Sequence, residues 1–239
     1  MKKTLLFVLS FILFSSFYSI SSAQSFGLGY RVGSGTFKPL DYIIDRYNQK
    51  RTAILTKNMD KISSVSGLVY SVGYNFGEWG FEVEIPKLKS SVVTSESSTD
   101  VRELYMKLEG VEFNTIFGKE VYTDGAIVGF MGGYLSVDNV SPSIFTRVYS
   151  KGGTAGDYTE LSAKSAVNLG IGPTFSAHLF FPSVIFFAEV RPFYKFSLIG
   201  ADFYDVNARI NSEYDVDNTT GSMNYFGLNA KIGVTVAIL

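Results

Sequence analysis

Residues 225–239, YFGLNAKIGVTVAIL, decide the fold because side-chain character alternates strictly along them. One parity is wholly apolar: Phe226, Leu228, Ala230, Ile232, Val234, Val236 and Ile238. The other parity is small or polar, apart from an aromatic start: Tyr225, Gly227, Asn229, Lys231, Gly233, Thr235 and Ala237. Successive side chains of a β-strand point to opposite faces. The stretch therefore predicts a strand with lipid on one side and a narrow, polar barrel interior on the other.

The first 23 residues have the pattern of a secretory signal peptide. Lys2 and Lys3 form a positive start, and residues 5–14 form an apolar stretch that is short for a membrane span. Small residues 21–23 match a cleavage site, so we expect residues 1–23 to be removed and residues 24–239 to form one domain.

Composition narrows the class of protein further. Aromatic residues make up 15% of the chain, and the mean hydropathy is +0.16 although no long apolar stretch follows the signal. A membrane barrel distributes its apolar residues in this way, by alternation. The chain has no cysteine, which excludes disulfides and cysteine-based metal sites, and we predict no cofactor. The net charge of −1 gives no indication of a nucleic-acid partner.

Further strands follow the same alternation. The first strand is predicted over residues 25–35 and the second over residues 65–76. A tight turn at Gly77-Glu78 leads to the third strand, which begins at Trp79. Tyr74, Phe76, Trp79 and Phe81 lie on both sides of this turn and match an aromatic girdle at a membrane face. Residues 86–100 are predicted to be a connection.

The fourth and fifth strands are less regular. The fourth begins near Val101 with Leu104, Met106 and Leu108 outward, and its alternation slips at Gly110-Val111, which predicts a β-bulge. The fifth is predicted over residues 126–137, but its glycines leave the outward face open. Residues 138–159 are predicted to be a long loop.

The sixth strand is predicted from Glu160 to Leu179, with Lys164, Asn168 and Thr174 inward. The seventh is predicted over residues 184–200 and alternates clearly. A polar loop over residues 201–221 then leads to the closing strand.

Eight strands result, and long connections follow the first, third, fifth and seventh of them. Outer-membrane barrels sort their connections in this way, with short periplasmic turns and long extracellular loops. We therefore predict an all-β fold: an eight-stranded antiparallel up-and-down transmembrane β-barrel.

This pattern resembles the small single-domain outer-membrane barrels of the OmpA/OmpX type along the whole mature chain. The resemblance implies a Gram-negative outer membrane, contact with its lipid, and use of the barrel assembly machinery during biogenesis. It also implies that the periplasmic domain of larger relatives is absent. The ending Ala237-Ile238-Leu239 departs from the aromatic last residue usual in these barrels.

Charged residues on the inward parity are the clearest candidate site. They are Arg31, Glu82, Glu84, Glu189, Arg191, Lys195 and Lys231. Buried charges are costly unless paired, so we predict a structural network that fills the interior. The alternative is an ion path, but eight strands leave room for little more than side chains.

A short amphipathic helix is predicted outside the barrel in the first connection, with Pro39 in its first turn. Leu40, Ile43, Ile44 and Tyr47 have helical spacing. This apolar face either folds onto neighbouring loops, or acts as a lid over the barrel mouth, or binds a partner or a lipid chain.

Two weaker chemical candidates remain. His178 is the only histidine, and the strand directions place it at the periplasmic end, without a nucleophile motif or orienting partner. Asp215 and Asp217 faintly resemble a calcium loop, but no full pattern follows. We predict no catalytic and no metal-binding residues.

Function is open between two classes. The first is a non-enzymatic barrel with a structural or surface-interaction role, in which the long loops contact a partner. The second is a barrel that binds or transports a small solute or hydrophobic ligand. A lipid-modifying enzyme is a distant third.

Overall fold

The computed structural model describes residues 23–75, 79–181, 184–214 and 218–237. The predicted signal peptide, apart from Ala23, lies outside these residues. So do the turn at Gly77-Glu78 and the last two residues of the chain. Eight long strands dominate: β1 (Ala23–Phe37), β2 (Ser64–Asn75), β3 (Trp79–Lys89), β4 (Asp100–Asp124), β5 (Ile127–Ser150), β6 (Ala166–Phe180), β7 (Val184–Ile199) and β8 (Met223–Ala237).

These strands close into a ring. Each pairs antiparallel with the next along the chain, and β1 also pairs with β8, where Tyr30 lies opposite Ala230. Closure removes the free sheet edges that an open sheet would expose. The predicted eight-stranded antiparallel barrel is confirmed.

Alternation places apolar side chains on the outside of the ring. On β8 the outward side chains Phe226, Leu228, Ile232 and Val236 are exposed, and Ile232 is 66% exposed. The inward Asn229 and Lys231 are buried. The outward run from Phe226 to Val236 matches the about 9–11 residues with which a tilted strand crosses a bilayer. No helix in the described ranges is long and apolar enough to do so.

The long connections build a second layer at one end of the barrel. It contains helix α1 (Lys38–Lys50), helix α2 (Tyr204–Asn211), and short strands Leu55–Lys57, Val93–Ser97 and Thr159–Ser162 that extend the sheet of β4 and β5. A two-stranded ribbon, Ala201–Asp202 with Thr220–Gly221, completes it. We call this layer, residues 38–63, 90–109, 141–165, 200–214 and 218–222, the cap.

The predicted bulge at Gly110-Val111 is wrong. Pairing of β4 with β5 is continuous there, with Gly110 opposite Val140, and the register shifts instead between Glu120 and Tyr122. Leu104, Met106 and Leu108 were predicted to face outward, but they face inward and are buried in the cap. The alternation looked shifted because the inward face changes from polar to apolar where the barrel meets the cap.

Three predicted connections contain regular structure instead. Residues 86–89 continue β3, and residues 138–150 continue β5. The outward face of β5, which the sequence left open, carries Met131, Leu135 and Val137. The predicted polar loop 201–221 contains α2, with Phe203, Val206 and Ile210 buried at helical spacing. These segments are ordered because their apolar side chains pack in the cap, outside the membrane belt. The alternation of a lipid-facing strand does not describe such packing, so the sequence predicted connections instead.

The sixth strand is shorter than predicted. Thr159–Ser162 is a separate short strand, and β6 begins at Ala166. Lys164, predicted to face inward, is exposed and lies 2.7 Å from Asp202 in the cap. Asn168 and Thr174 do face inward and are buried.

Candidate functional site in the lumen and cap

Inward-facing charges fill the lumen, the space that the eight strands enclose. The structure brings together all seven predicted residues and adds two acids that sequence reasoning missed: Arg31, Glu82, Glu84, Glu112, Asp138, Glu189, Arg191, Lys195 and Lys231. Glu112 could have been found from its parity, since Phe113 beside it faces outward. Asp138 was missed because it lies just beyond the predicted end of β5.

The half of this network nearer the cap centres on Glu112. Its Oε2 accepts hydrogen bonds from Lys195 Nζ at 2.6 Å and from Arg31 Nη1 at 2.7 Å. Lys195 also donates to Asp138 at 2.6 Å, and Arg31 donates to Glu84 at 2.5 Å. One chain of ion pairs therefore joins β1, β3, β4, β5 and β7.

The half nearer the short turns centres on Arg191. Its guanidinium lies 2.6 Å from Glu82 Oε2 and 2.5 Å from Glu189 Oε1. Lys231 donates to Glu82 and lies 3.2 Å from Glu189. Every charge named in the lumen thus has an opposite charge within ion-pair distance, which offsets the cost of removing it from water.

The lumen has little room for a solute. A cavity of ≈ 80 Å³ at the short-turn end is lined by Glu82, Glu189, Arg191, Lys231 and His178, among others. Since a water molecule takes about 30 Å³ of the liquid, the cavity holds a few waters. Drug-sized ligands use pockets of about 300–1,000 Å³.

The cap closes the other end with an apolar core. Toward the cap, inward side chains change from charged to apolar, as from Glu112 to Leu108 along β4 and from Asp138 to Val140 along β5. The predicted helix α1 is present, with Pro39 in its first turn. The structure buries its face of Leu40, Ile43, Ile44 and Tyr47 in this core. Helix side chains therefore occupy the apolar space over the barrel mouth.

Polar contacts fix α1 against α2. Arg46 on α1 donates to both carboxylate oxygens of Glu213, at 2.8 and 2.7 Å, and Lys50 lies 3.2 Å from the same carboxylate. Asn211 at the end of α2 donates to the carbonyl of Ile43 at 3.0 Å. The hydrogen bond from Arg46 lowers the pKa of Glu213 to about 2.

A second polar cluster lies on the outer face of the cap sheet. Glu103 pairs with Arg147 at 2.8 Å and accepts hydrogen bonds from Tyr158 at 2.5 Å and Tyr149 at 2.8 Å. The bond from Tyr158 is the main cause that lowers the pKa of Glu103, and burial together with this bond raises the pKa of Tyr158 to about 12. The sequence placed Glu103 on the fourth strand and the other three residues in the predicted loop 138–159, and it gave no signal for the cluster.

His178 lies at the short-turn end, opposite the cap. Its Nε2 is 3.0 Å from Ser176 Oγ, a contact that the sequence did not reveal. Glu189 lies beside them across the β6–β7 pair, but its carboxylate is bound to Arg191 and Lys231. The geometry thus holds a histidine and a serine without an available carboxylate to orient the histidine.

Metal binding has no support in the described part of the chain, where no three His, Asp or Glu side chains are grouped to hold an ion. The acids of the faint calcium pattern, Asp215 and Asp217, lie outside the described residues.

A closed eight-stranded ring, apolar outside and filled with paired charges inside, has the architecture of the small transmembrane β-barrels. Neither a protein-family model nor a curated protein sequence matches the chain. Among solved structures, it is similar to Neisserial surface protein A (TM-score 0.40, 13% identity, 92% of this chain and 98% of that chain). It is also similar to the attachment invasion locus protein Ail of Yersinia pestis (0.39, 13%, 92% and 100%) and to the outer membrane protein OprG of Pseudomonas aeruginosa (0.38, 10%, 91% and 96%). The barrel assignment rests on the strand pairing of this chain.

Proposed function

We propose that this chain is an integral outer-membrane protein without enzymatic activity, whose sealed barrel presents the cap at the cell surface. One observation supports this most directly: the barrel exterior is apolar along its strands while every interior charge named above is paired. A water-soluble barrel has no need of an apolar exterior of this extent, because large exposed apolar patches mark contact with lipid or protein.

The cap supports a surface-interaction role. In many proteins, the residues that contact partners lie on long loops held by a rigid scaffold. Here an apolar core and the Arg46–Glu213 contact order the loops. The cap is therefore an ordered platform.

Membrane placement is tested by cell fractionation with heat-modifiability. The folded protein should be found in the outer-membrane fraction and should migrate differently on unboiled and boiled gels. A mature chain that folds as a monomer in water without detergent would refute the proposal.

The alternative role, transport of a small solute, is tested in planar bilayers. We expect no steady conductance from the wild-type protein because paired charges fill the lumen and the cap closes one end. A reproducible open channel would favour transport instead.

The surface role is tested by replacing residues 38–63 with a short linker. Loss of binding to cells or envelope components, with the barrel still heat-modifiable, is the expected result. Unchanged binding would place the interaction elsewhere.

A further inference from the structure

Three lysines lie just above the apolar belt on neighbouring strands. Lys87 and Lys89 follow Ile85 on the outward face of β3, and Lys107 lies on the outward face of β4, separated from Val111 by Glu109. Ile85 is 45% exposed and Val111 is 38% exposed, so both belong to the apolar exterior. We call Lys87, Lys89 and Lys107 the lysine patch.

An aromatic pair holds two of these ammonium groups. The rings of Tyr105 and Phe145 stack with centroids 4.8 Å apart. Lys89 Nζ lies 4.1 Å from the Tyr105 centroid, and Lys107 Nζ lies 4.4 Å from the Phe145 centroid. Cation–π contacts of this kind fix the positions of long side chains that would otherwise be mobile.

The patch has an excess of positive charge. Lys89 and Lys107 lie directly opposite each other in the β3–β4 register, and like charges in such positions destabilise a sheet. Within the described ranges, no carboxylate lies within ion-pair distance of any of the three lysines. The nearest acid in register is Glu109, opposite Lys87, while Glu103 is already bound to Arg147. Lys87 thus has an acid opposite it, and within the described ranges the excess positive charge lies on Lys89 and Lys107, where an external anion would balance it.

We propose that the lysine patch binds the phosphate groups of a lipid headgroup in the leaflet on the cap side of the membrane. The inference rests on the proposed membrane placement. Lysine is a common phosphate ligand, and basic residues at the level of headgroups attract anionic lipid. Tyrosine is likewise enriched at this level.

A lipid fits the patch better than a free anion does. Lys87 lies directly beyond Ile85 on the outward face of β3, with Lys89 and Lys107 in the next row, so one amphiphile can place its phosphate on the lysines and its acyl chains against the belt. A soluble phosphate would use only the charged half of this surface. The ligand class is thus a phosphorylated lipid, either a glycolipid or a phospholipid.

The test compares retained lipid in native mass spectrometry. The folded protein is placed in neutral phosphatidylcholine nanodiscs doped with a phosphorylated glucosamine lipid, with its dephosphorylated analogue, or with an anionic phospholipid. The wild-type protein should retain the phosphorylated glucosamine lipid or the anionic phospholipid over the dephosphorylated analogue. The triple variant K87Q/K89Q/K107Q should lose this preference by roughly 5-fold per lysine, about 100-fold in all.

The matched control is K57Q/K61Q/K151Q, which removes three exposed lysines of the cap and should retain the preference. Equal retention by the lysine-patch variant would overturn the inference, as would full displacement of the lipid by millimolar inorganic phosphate. Heat-modifiability in undoped nanodiscs separates the two proposals. A protein that does not insert there contradicts the membrane placement, whereas one that inserts without lipid preference contradicts only the lysine patch.

Discussion

The ammonium of Lys195 lies 2.6 Å from Glu112 Oε2 in the middle of the lumen, although 83 positions separate the two residues in the chain. Both side chains are 1% exposed. Such burial removes both charges from bulk water, so each depends on its partner. The interior of this barrel is therefore held by contacts between distant parts of the sequence.

Replacing Lys195 by Met should be strongly destabilising. It leaves Glu112 with Arg31 alone and removes the only cation within ion-pair distance of Asp138 in the described part of the chain. Breaking a buried ion pair costs about 3–5 kcal/mol. We expect a loss of this size in the free energy of unfolding, measured by urea titration in lipid vesicles. K57M, at an exposed lysine of the cap, should change it by less than about 0.5 kcal/mol. A stable K195M protein would show that the lumen network is dispensable.

An arginine on the lipid face should destabilise the barrel where the same change in the cap does not. Ile232 is 66% exposed on β8 and Ile54 is 61% exposed in the cap. If hydrocarbon surrounds the barrel, I232R costs about 2–4 kcal/mol near the bilayer midplane. I54R faces water and should be nearly neutral. Unfolding in vesicles measures both, and equal effects would argue against a lipid-facing β8.

A charge in the core of the cap should open the cap and spare the barrel. Ile43 is fully buried, so I43D places a carboxylate in an apolar core at a cost of at least about 3 kcal/mol. Limited proteolysis should then cut within residues 38–63 while the gel mobility shift of the barrel persists. I54D, at an exposed isoleucine, is the control and should resist the protease like the wild-type protein. Loss of the mobility shift in I43D would mean that barrel and cap fold as one unit.

The contact between α1 and α2 should weaken in acid. The folded-state pKa of Glu213 is about 2, below the about 4.3 of an unfolded glutamate. A carboxylate whose pKa is lowered by folding stabilises the folded state at pH values above its unfolded-state pKa. This stabilisation is lost as the pH falls from about 4.3 through 2. Hydrogen exchange of α2 should therefore accelerate over this range. E213Q should exchange faster at neutral pH and show less of this acceleration; an identical pH profile would assign the effect to another group.

The barrel strands could be predicted from the sequence because, along a strand in contact with lipid, apolar side chains face outward and polar side chains face inward. Outward Ile232 and inward Lys231 differ so strongly in polarity that the faces could be assigned directly. The cap was harder, because Leu104 and Met106 are apolar and nevertheless face inward. Likewise Val206 and Ile210 lie in a helix within residues 201–221, which were predicted to form a polar loop. Contacts such as Arg147 with Glu103 depend on strand register, which single-strand patterns do not supply.

The lumen network constrains how the protein enters its membrane. Arg31 on the first strand needs Glu84 and Glu112, and Lys231 on the last strand needs Glu82, 149 positions earlier. An intermediate with only some strands inserted would expose unpaired charges to hydrocarbon, because the strands that carry their partners would not yet be in the membrane. Insertion should therefore be concerted, with the hairpins assembling at the bilayer surface and crossing only as the seam between β1 and β8 closes.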